Sequence, residues 1–170
     1  NKKNVSFLDY KFNTINIQHY TSKAKGVEWV VNMIITDNES NSVQNALNQV
    51  GISVQIQRMT HWEIVGGNNL NLAEIEKSGE LFNSNKEYIS DYNPNENSAT
   101  FLVRQNEDVL GIQKKQSLMD RFNIAGLNEI HHGVLWNIKV KSGNFDRVIK
   151  KVLDSQILFN PFSQRCYTYE

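Results

Sequence analysis

Apolar and polar positions along this chain change period several times, and the order of the changes occurs twice. Residues 5 to 20 mix Val5, Phe7, Phe12, Ile15, Ile17 and Tyr20 with polar residues at no helical spacing, which predicts an extended arm ending at Gly26. Val27 to Ile35 is β-branched and apolar and predicts a central strand. Val43, Ala46, Leu47 and Val50 then recur at i, i+3, i+4 and i+7, a helical stripe with Ser40 or Asn41 as its cap and Gly51 as its stop. Ser53 to Met59 alternates and reverses near Thr60-His61 into Trp62 to Val65, the pattern of a hairpin. Gly66-Gly67-Asn68-Asn69 reads as a turn. Asn71, with Glu74 three residues on, resembles a capping box opening a second helix with Leu72, Ile75 and Phe82 inward. Lys86 to Tyr92 closes the unit as a strand, giving β-α-β-β-α-β.

The same order follows the polar, proline-containing stretch Asn93-Pro94-Asn95-Glu96-Asn97-Ser98. Thr100 to Arg104 predicts a strand. Leu110 to Phe122 predicts a helix with Leu118, Met119 and Phe122 inward. Leu127 to His131 and Val134 to Val140 predict a hairpin about His132-Gly133, followed by a turn at Lys141-Ser142-Gly143-Asn144. Phe145, Val148, Ile149, Val152, Leu153 and Ile157 form a strong helical stripe, Asn160-Pro161 stops it, and Arg165 to Tyr169 is a final strand. Trp136 stands 74 residues after Trp62, Ile124 stands 72 after Ile52, and Leu158-Phe159-Asn160 stands 77 after Leu81-Phe82-Asn83. A period of about 75 residues is too long for a solenoid and suits two copies of a small domain.

The fold class expected is therefore α+β: two tandem ferredoxin-like units forming a pseudo-dimer within one chain. The units run from 27 to 92 and from 100 to 170, with an extended arm over 1–26 and a linker over 93–99. Four antiparallel strands with both helices on one face leave the other face open, and two such sheets packed face to face would bury it. Trp62 and Ile64, with Trp136 and Ile138, are the residues expected in that layer.

Composition narrows the function classes. Apolar content of 39% supplies a core, and 18 basic residues cancel 18 acidic ones. That balance argues against binding nucleic acid by phosphate neutralisation. No run approaches the length of a membrane span, so no transmembrane helix is expected; the location expected is cytoplasmic, with no membrane partner. The start, Asn1-Lys2-Lys3-Asn4, has no Met and no apolar signal core behind it, which points to a processed or trimmed beginning. The single Cys166 excludes an internal disulfide and reads as a buried, inert thiol.

No catalytic constellation stands out, and the expected catalytic, cofactor and metal residues are none. His131-His132, with His61 at the matching position of the first copy, reads as surface histidines on hairpins. Adjacent strand residues point to opposite faces, and the nearby acids Glu129 and Glu63 are few for a metal. Gly66-Gly67 lacks the Lys-Ser/Thr of a phosphate loop, and no Ser/His/Asp elbow is present. The Trp pair suits sheet core better than a stacking platform. Lys114-Lys115 and Lys150-Lys151 read as solvated helix faces.

One resemblance adds to this reading. Gly133-Val134-Leu135-Trp136-Asn137-Ile138-Lys139-Val140, then Ile157-Leu158-Phe159-Asn160-Pro161, then Gln164 to Glu170, resemble the PurS family, the small subunit of phosphoribosylformylglycinamidine synthase. Leu158-Phe159-Asn160-Pro161 is the most specific part. The loop Gln105-Asn106-Glu107-Asp108-Val109-Leu110-Gly111 lacks both prolines of the family's pattern. The first copy resembles the pattern more faintly. The resemblance implies a fused version of the family's dimer, with Asn160 and Pro161 structural. It also implies a non-catalytic role bridging synthetase and glutaminase modules of a purine-biosynthetic enzyme, with ATP and magnesium on the partner module. A second reading from another class is an ACT-like regulatory module, with a small molecule near Asp37-Asn38-Glu39 and Asn106-Glu107-Asp108.

Overall fold

The computed structural model describes residues 11–12 and 15–170, with side chains from Ile17 onward. It contains strands β1 (Lys11–Phe12), β2 (Ile15–Asn16), β3 (Gln18–His19), β4 (Gly26–Met33), β5 (Val54–Gly66), β6 (Glu87–Ser90), β7 (Ser98–Gln105), β8 (Leu127–Val140) and β9 (Gln164–Tyr169). The helices are α1 (Asn38–Gln49), α2 (Leu72–Ser78), α3 (Val109–Phe122) and α4 (Phe145–Asp154). The class is mixed α+β, with a seven-stranded sheet ordered β3-β9-β7-β8-β5-β4-β6. β1 and β2 form a separate two-stranded ribbon, and β3 is parallel to β9. The arm expected over 1–26 falls partly outside the described residues. Its described end adds β3 to one edge of the sheet and buries Ile17 in the core.

Two expectations are corrected. The hairpins about Thr60-His61 and His132-Gly133 are each one unbroken strand, β5 and β8. The two expected sheets are one: β5 and β8 pair antiparallel along their whole length, from Val54↔Val140 to Gly66↔Leu127. The inward phase along β5 never reverses. Val54 and Ile56 lie in one core cluster and Trp62 and Ile64 in the other, all at even positions and so on the same face. Arg58 and Thr60 continue that phase, and their polarity imitates a turn.

The ladder reproduces the sequence repeat. Trp29↔Trp62 in the first copy matches Phe101↔Trp136 in the second, and Val30↔Ser90 matches Leu102↔Tyr167. Counterparts therefore lie 72 residues apart on the first strands, 74 on the central strands and 77 on the third. Thr60 and Val134 are counterparts that pair with each other, which puts a pseudo-two-fold axis between them.

Each hydrophobic core takes residues from both copies. One joins Leu47 of α1 and Ile56 of β5 to Val148, Ile149, Val152 and Leu153 of α4. The other joins Ile75 of α2 and Trp62 of β5 to Leu118 of α3 and Ile130 of β8. Each copy thus sends a helix and half a strand across the axis. All four helices cover one face of the sheet, because both cores use even positions of β5 and β8.

Local chemistry explains the helices and corrects some of their details. Asp37, not Ser40 or Asn41, caps α1, accepting from the Glu39 and Ser40 amides. Asn71 caps α2 as its spacing predicts. Val50, Met119, Phe122 and Ile157 are at least 37% exposed rather than inward. Gly111 lets α3 approach β8: a Cβ there would meet the Ile130 carbonyl and the Asp108 carboxylate. Gly133 sits mid-strand rather than in a turn, and glycine is needed there because Leu102 and Arg104 occupy the space a side chain would take. Among the described residues, no helix is long and apolar enough to cross a membrane.

Candidate functional site on the open face of the sheet

The face opposite the helices carries odd positions of β5 and their neighbours. Its apolar floor is Val30, Met59, Leu102 and Leu135, ringed by Tyr20, Tyr92, Tyr167 and Tyr169. Into this floor the fold sets two carboxylates and a histidine. The pairing Glu28↔Glu63 puts like charges directly opposite, an arrangement that costs stability unless each is separately compensated. Each has its own donors here. Glu28 Oε1 accepts from His61 Nε2 at 2.7 Å and from the Tyr169 hydroxyl at 3.0 Å. Glu63 Oε2 accepts from the Tyr20 hydroxyl and from the Lys23 amide, both at 2.8 Å. Arg104 completes the cluster, with Nη2 3.7 Å from Glu63 Oε1 and its guanidinium carbon 5.0 Å from the centre of the Tyr20 ring.

Tyr20 is held there by its backbone and its ring. Its amide donates to the Thr168 carbonyl at 2.9 Å, continuing the β3–β9 pairing. Its ring stacks on Tyr169 with centroids 5.6 Å apart and meets His61 edge-on at 5.4 Å. The arm therefore closes the face over His61, which is 0% exposed, and Glu63, which is 1% exposed.

Burial holds the His61 pKa below its usual 6.5 despite the Glu28 carboxylate, and the hydrogen bond from His61 pulls the Glu28 pKa down. At neutral pH the pair is thus a carboxylate and a neutral imidazole. Nε2 carries the proton toward Glu28, and Nδ1 is left buried without a partner. Burial, reinforced by the carboxylates, raises the pKa values of the Tyr20 and Tyr169 hydroxyls, which stay protonated. The cluster is closed on itself and exposes no activated nucleophile; its chemistry is to fasten the arm to the sheet.

Because folded His61 resists protonation, the unfolded chain takes up the proton first as pH falls below about 6.5. This part of the stability is complete above that value and is lost on acidification. Glu28, also lowered, works in the same direction at lower pH. Thermal melts should show a falling midpoint from pH 7.5 to pH 5.5. His61→Gln should lower the midpoint at pH 7.5 and flatten the slope, leaving the share due to His132, whose pKa burial also lowers. A variant with the wild-type slope would show that burial under Tyr20 and Tyr169, helped by the Arg104 charge and opposed by the Glu28 and Glu63 carboxylates, does not keep His61 neutral.

The residues singled out from sequence are spread over both faces. Trp62, Ile64, Trp136 and Ile138 are buried beneath the helices rather than between two sheets. Asn160 and Pro161 form the turn into β9, where Asn160 Oδ1 accepts from the Phe162 amide. Trp136, His132 and Asn160 share the lining of a groove of about 400 Å3 on the helix face. His61 is core, not surface. His131 faces Glu129 at 3.0 Å on the open side, whereas His132 packs on Trp62 with centroids 4.8 Å apart on the helix side. Cys166 is buried, and burial raises its thiol pKa. Among the described residues, no three His, Cys, Asp or Glu side chains stand where they could hold a metal ion. Sequence reasoning missed Tyr20, Glu28, Glu63, Arg104 and Tyr169, which come from five segments with no common motif.

At the turns where an ACT-like module would hold its small molecule, Asp37 and Asp108 are already engaged. Asp37 caps α1 and binds Arg58 at 2.9 and 3.1 Å. Asp108 accepts from the Gly111 and His132 amides, both at 2.9 Å. Compared by sequence, the chain matches no model of a known protein family, and no curated protein aligns with it significantly.

Proposed function

We propose that this chain is a non-catalytic, PurS-like assembly component of phosphoribosylformylglycinamidine synthase. It works in the cytoplasm and bridges the synthetase and glutaminase modules so that ammonia made at one reaches the other. One observation carries the reading: each copy donates a helix and half a strand to the other's core. A fused dimer is expected to have that form, and cores shared across the axis suit a part that holds two modules in fixed relation. The strand order β6-β4-β5-β8 on one side of the axis and β9-β7-β8-β5 on the other supports tandem ferredoxin-like units. Each would take its remaining strand from its mate. Units over 27–92 and 100–170, joined through 93–99, fit this pairing. ATP, magnesium and glutamine belong to the partner modules in this account. The ACT-like reading places its ligand at turns where Asp37 and Asp108 already have partners, so it gains no support there.

The test is to express the chain with glutaminase and synthetase modules of the purine pathway. It should co-purify with both, and alone it should turn over neither glutamine nor ATP. ATP turnover by the pure chain, or failure to associate with either module, would sink the proposal.

A further inference from the structure

The Tyr20 site has a mate across the pseudo-two-fold axis, and the mate is open. Translating the site by the offsets of the ladder turns Glu63 into Asn137, Arg104 into Asn32, Tyr169 into Tyr92 and Tyr167 into Ser90. All four of those residues line one groove of about 220 Å3 on the open face. The correspondence extends to hydrogen bonds. The Tyr169 hydroxyl donates to Glu28, and the Tyr92 hydroxyl donates to Thr100, the counterpart of Glu28, at 2.5 Å. The edge strands correspond as well. β9 receives β3 in parallel through Tyr167 and Thr168, whereas β6, its counterpart, pairs among the described residues only with β4 and ends the sheet there.

The floor of this groove is set to accept hydrogen bonds. Ser98 donates its hydroxyl proton to the Asn95 carbonyl at 2.6 Å, so its oxygen needs a donor. Asn137 supplies one through Nδ2 at 3.1 Å and donates to Thr100 at 2.8 Å. Both amide protons are thereby committed, and Oδ1 is the remaining polar atom of a residue that is 4% exposed and lines the groove. At the occupied site, Glu63 offers an acceptor in the same position and receives the Tyr20 hydroxyl.

We propose that this groove docks an extended segment of a partner polypeptide. The segment pairs in parallel with the free edge of β6 and sinks an aromatic side chain bearing a donor toward Asn137. The chain's own arm is the template: Tyr20 meets the face one residue beyond the β3–β9 pair. A strand laid on β6 in the same register places its aromatic residue between Tyr92 and Asn32. Among the described residues one arm serves two equivalent sites, and no described segment fills the second. The inference rests on the symmetry of the fold and not on the assembly role proposed above.

The probe is a synthetic peptide of residues 15–25 of this chain, with a photoreactive benzoylphenylalanine replacing its tyrosine, titrated against the full chain. Saturable binding is expected, with cross-links in 86–95 or at Asn137. Gln57 is exposed at the rim of the groove. Gln57→Trp should fill it and weaken binding by about tenfold or more while leaving the melt unchanged. Restoring the tyrosine should preserve affinity, and alanine in its place should lose it. Cross-links confined to Tyr167–Tyr169 would mean that the peptide only displaces the chain's own arm and would overturn the proposal. So would binding indifferent to Gln57→Trp, or none that saturates. Self-association of the chain abolished by Gln57→Trp would also overturn it, assigning the groove to a second copy.

Discussion

Cut between Pro94 and Ser98, the chain should give two halves that fold together and not apart. The cut falls outside the secondary-structure elements, between β6 and β7, and removes no core side chain. It matters only because of what each half lacks. The first half keeps α1, whose Leu47 shares a core with α4 of the second, and the second keeps α3, whose Leu118 shares a core with α2 of the first. A half alone would also expose one full side of a strand of 13 or 14 residues, the free edge that folded chains avoid. Neither half should therefore persist as a folded monomer. Each should be unfolded or paired with its own copy about the same axis, and mixing should restore the far-ultraviolet spectrum and the melt of the intact chain. Halves that are each folded and monomeric at micromolar concentration would contradict shared cores and leave two domains on a linker.

Trp136→Ala should destabilise the whole chain severely. Trp136 is 5% exposed, lies between Arg58 on β5 and Phe101 on β7, and joins the core that holds α1 and α4. Truncating a buried Trp costs about 3–5 kcal/mol, against a usual margin of about 5–15 kcal/mol. Because this core contains residues of both copies, the loss should appear as one cooperative transition at lower denaturant, not as the melting of one half. His132→Ala is the contrast. It gives up the packing on Trp62, worth about 0.5–1.5 kcal/mol. Equal costs for the two, or two separate transitions in Trp136→Ala, would contradict this assignment.

The repeat was legible in the sequence because the residues that mark it are structural. Trp62 with Trp136 and Leu81-Phe82 with Leu158-Phe159 hold equivalent places in the two cores, and their offsets reappear in the ladder. The hairpins were illegible for a physical reason. α1 and α4 cover one end of the helix face and α2 and α3 the other, so the middle of β5 and β8 faces the gap between them. Arg58 and Thr60, with His132 and Val134, line grooves there and need not be apolar. A polar interval in mid-strand reads as a turn, and Gly133 strengthens that impression. The exchange of strands and helices has no local signature at all. It depends on whether β5 folds back on itself or runs on to meet β8, and both outcomes bury the same residues.

The open face was illegible in another way. Glu28, Glu63 and Arg104 look like solvated charges on amphipathic strands until the pairing Val30↔His61 brings His61 beside Glu28 and the arm sets Tyr20 on Glu63. The burial of Glu63 and His61 depends on Tyr20, which lies 41 residues before His61 and outside either repeat.

The interleaved sheet is the claim on which the rest depends, and nuclear Overhauser contacts along β5 test it most directly. In the labelled chain, Gln57 should contact Asn137, Thr60 should contact Val134, and Glu63 should contact His131, in one continuous antiparallel register. Contacts folding Ser53–Met59 back on Trp62–Val65, with none between β5 and β8, would contradict it and restore two separate hairpins.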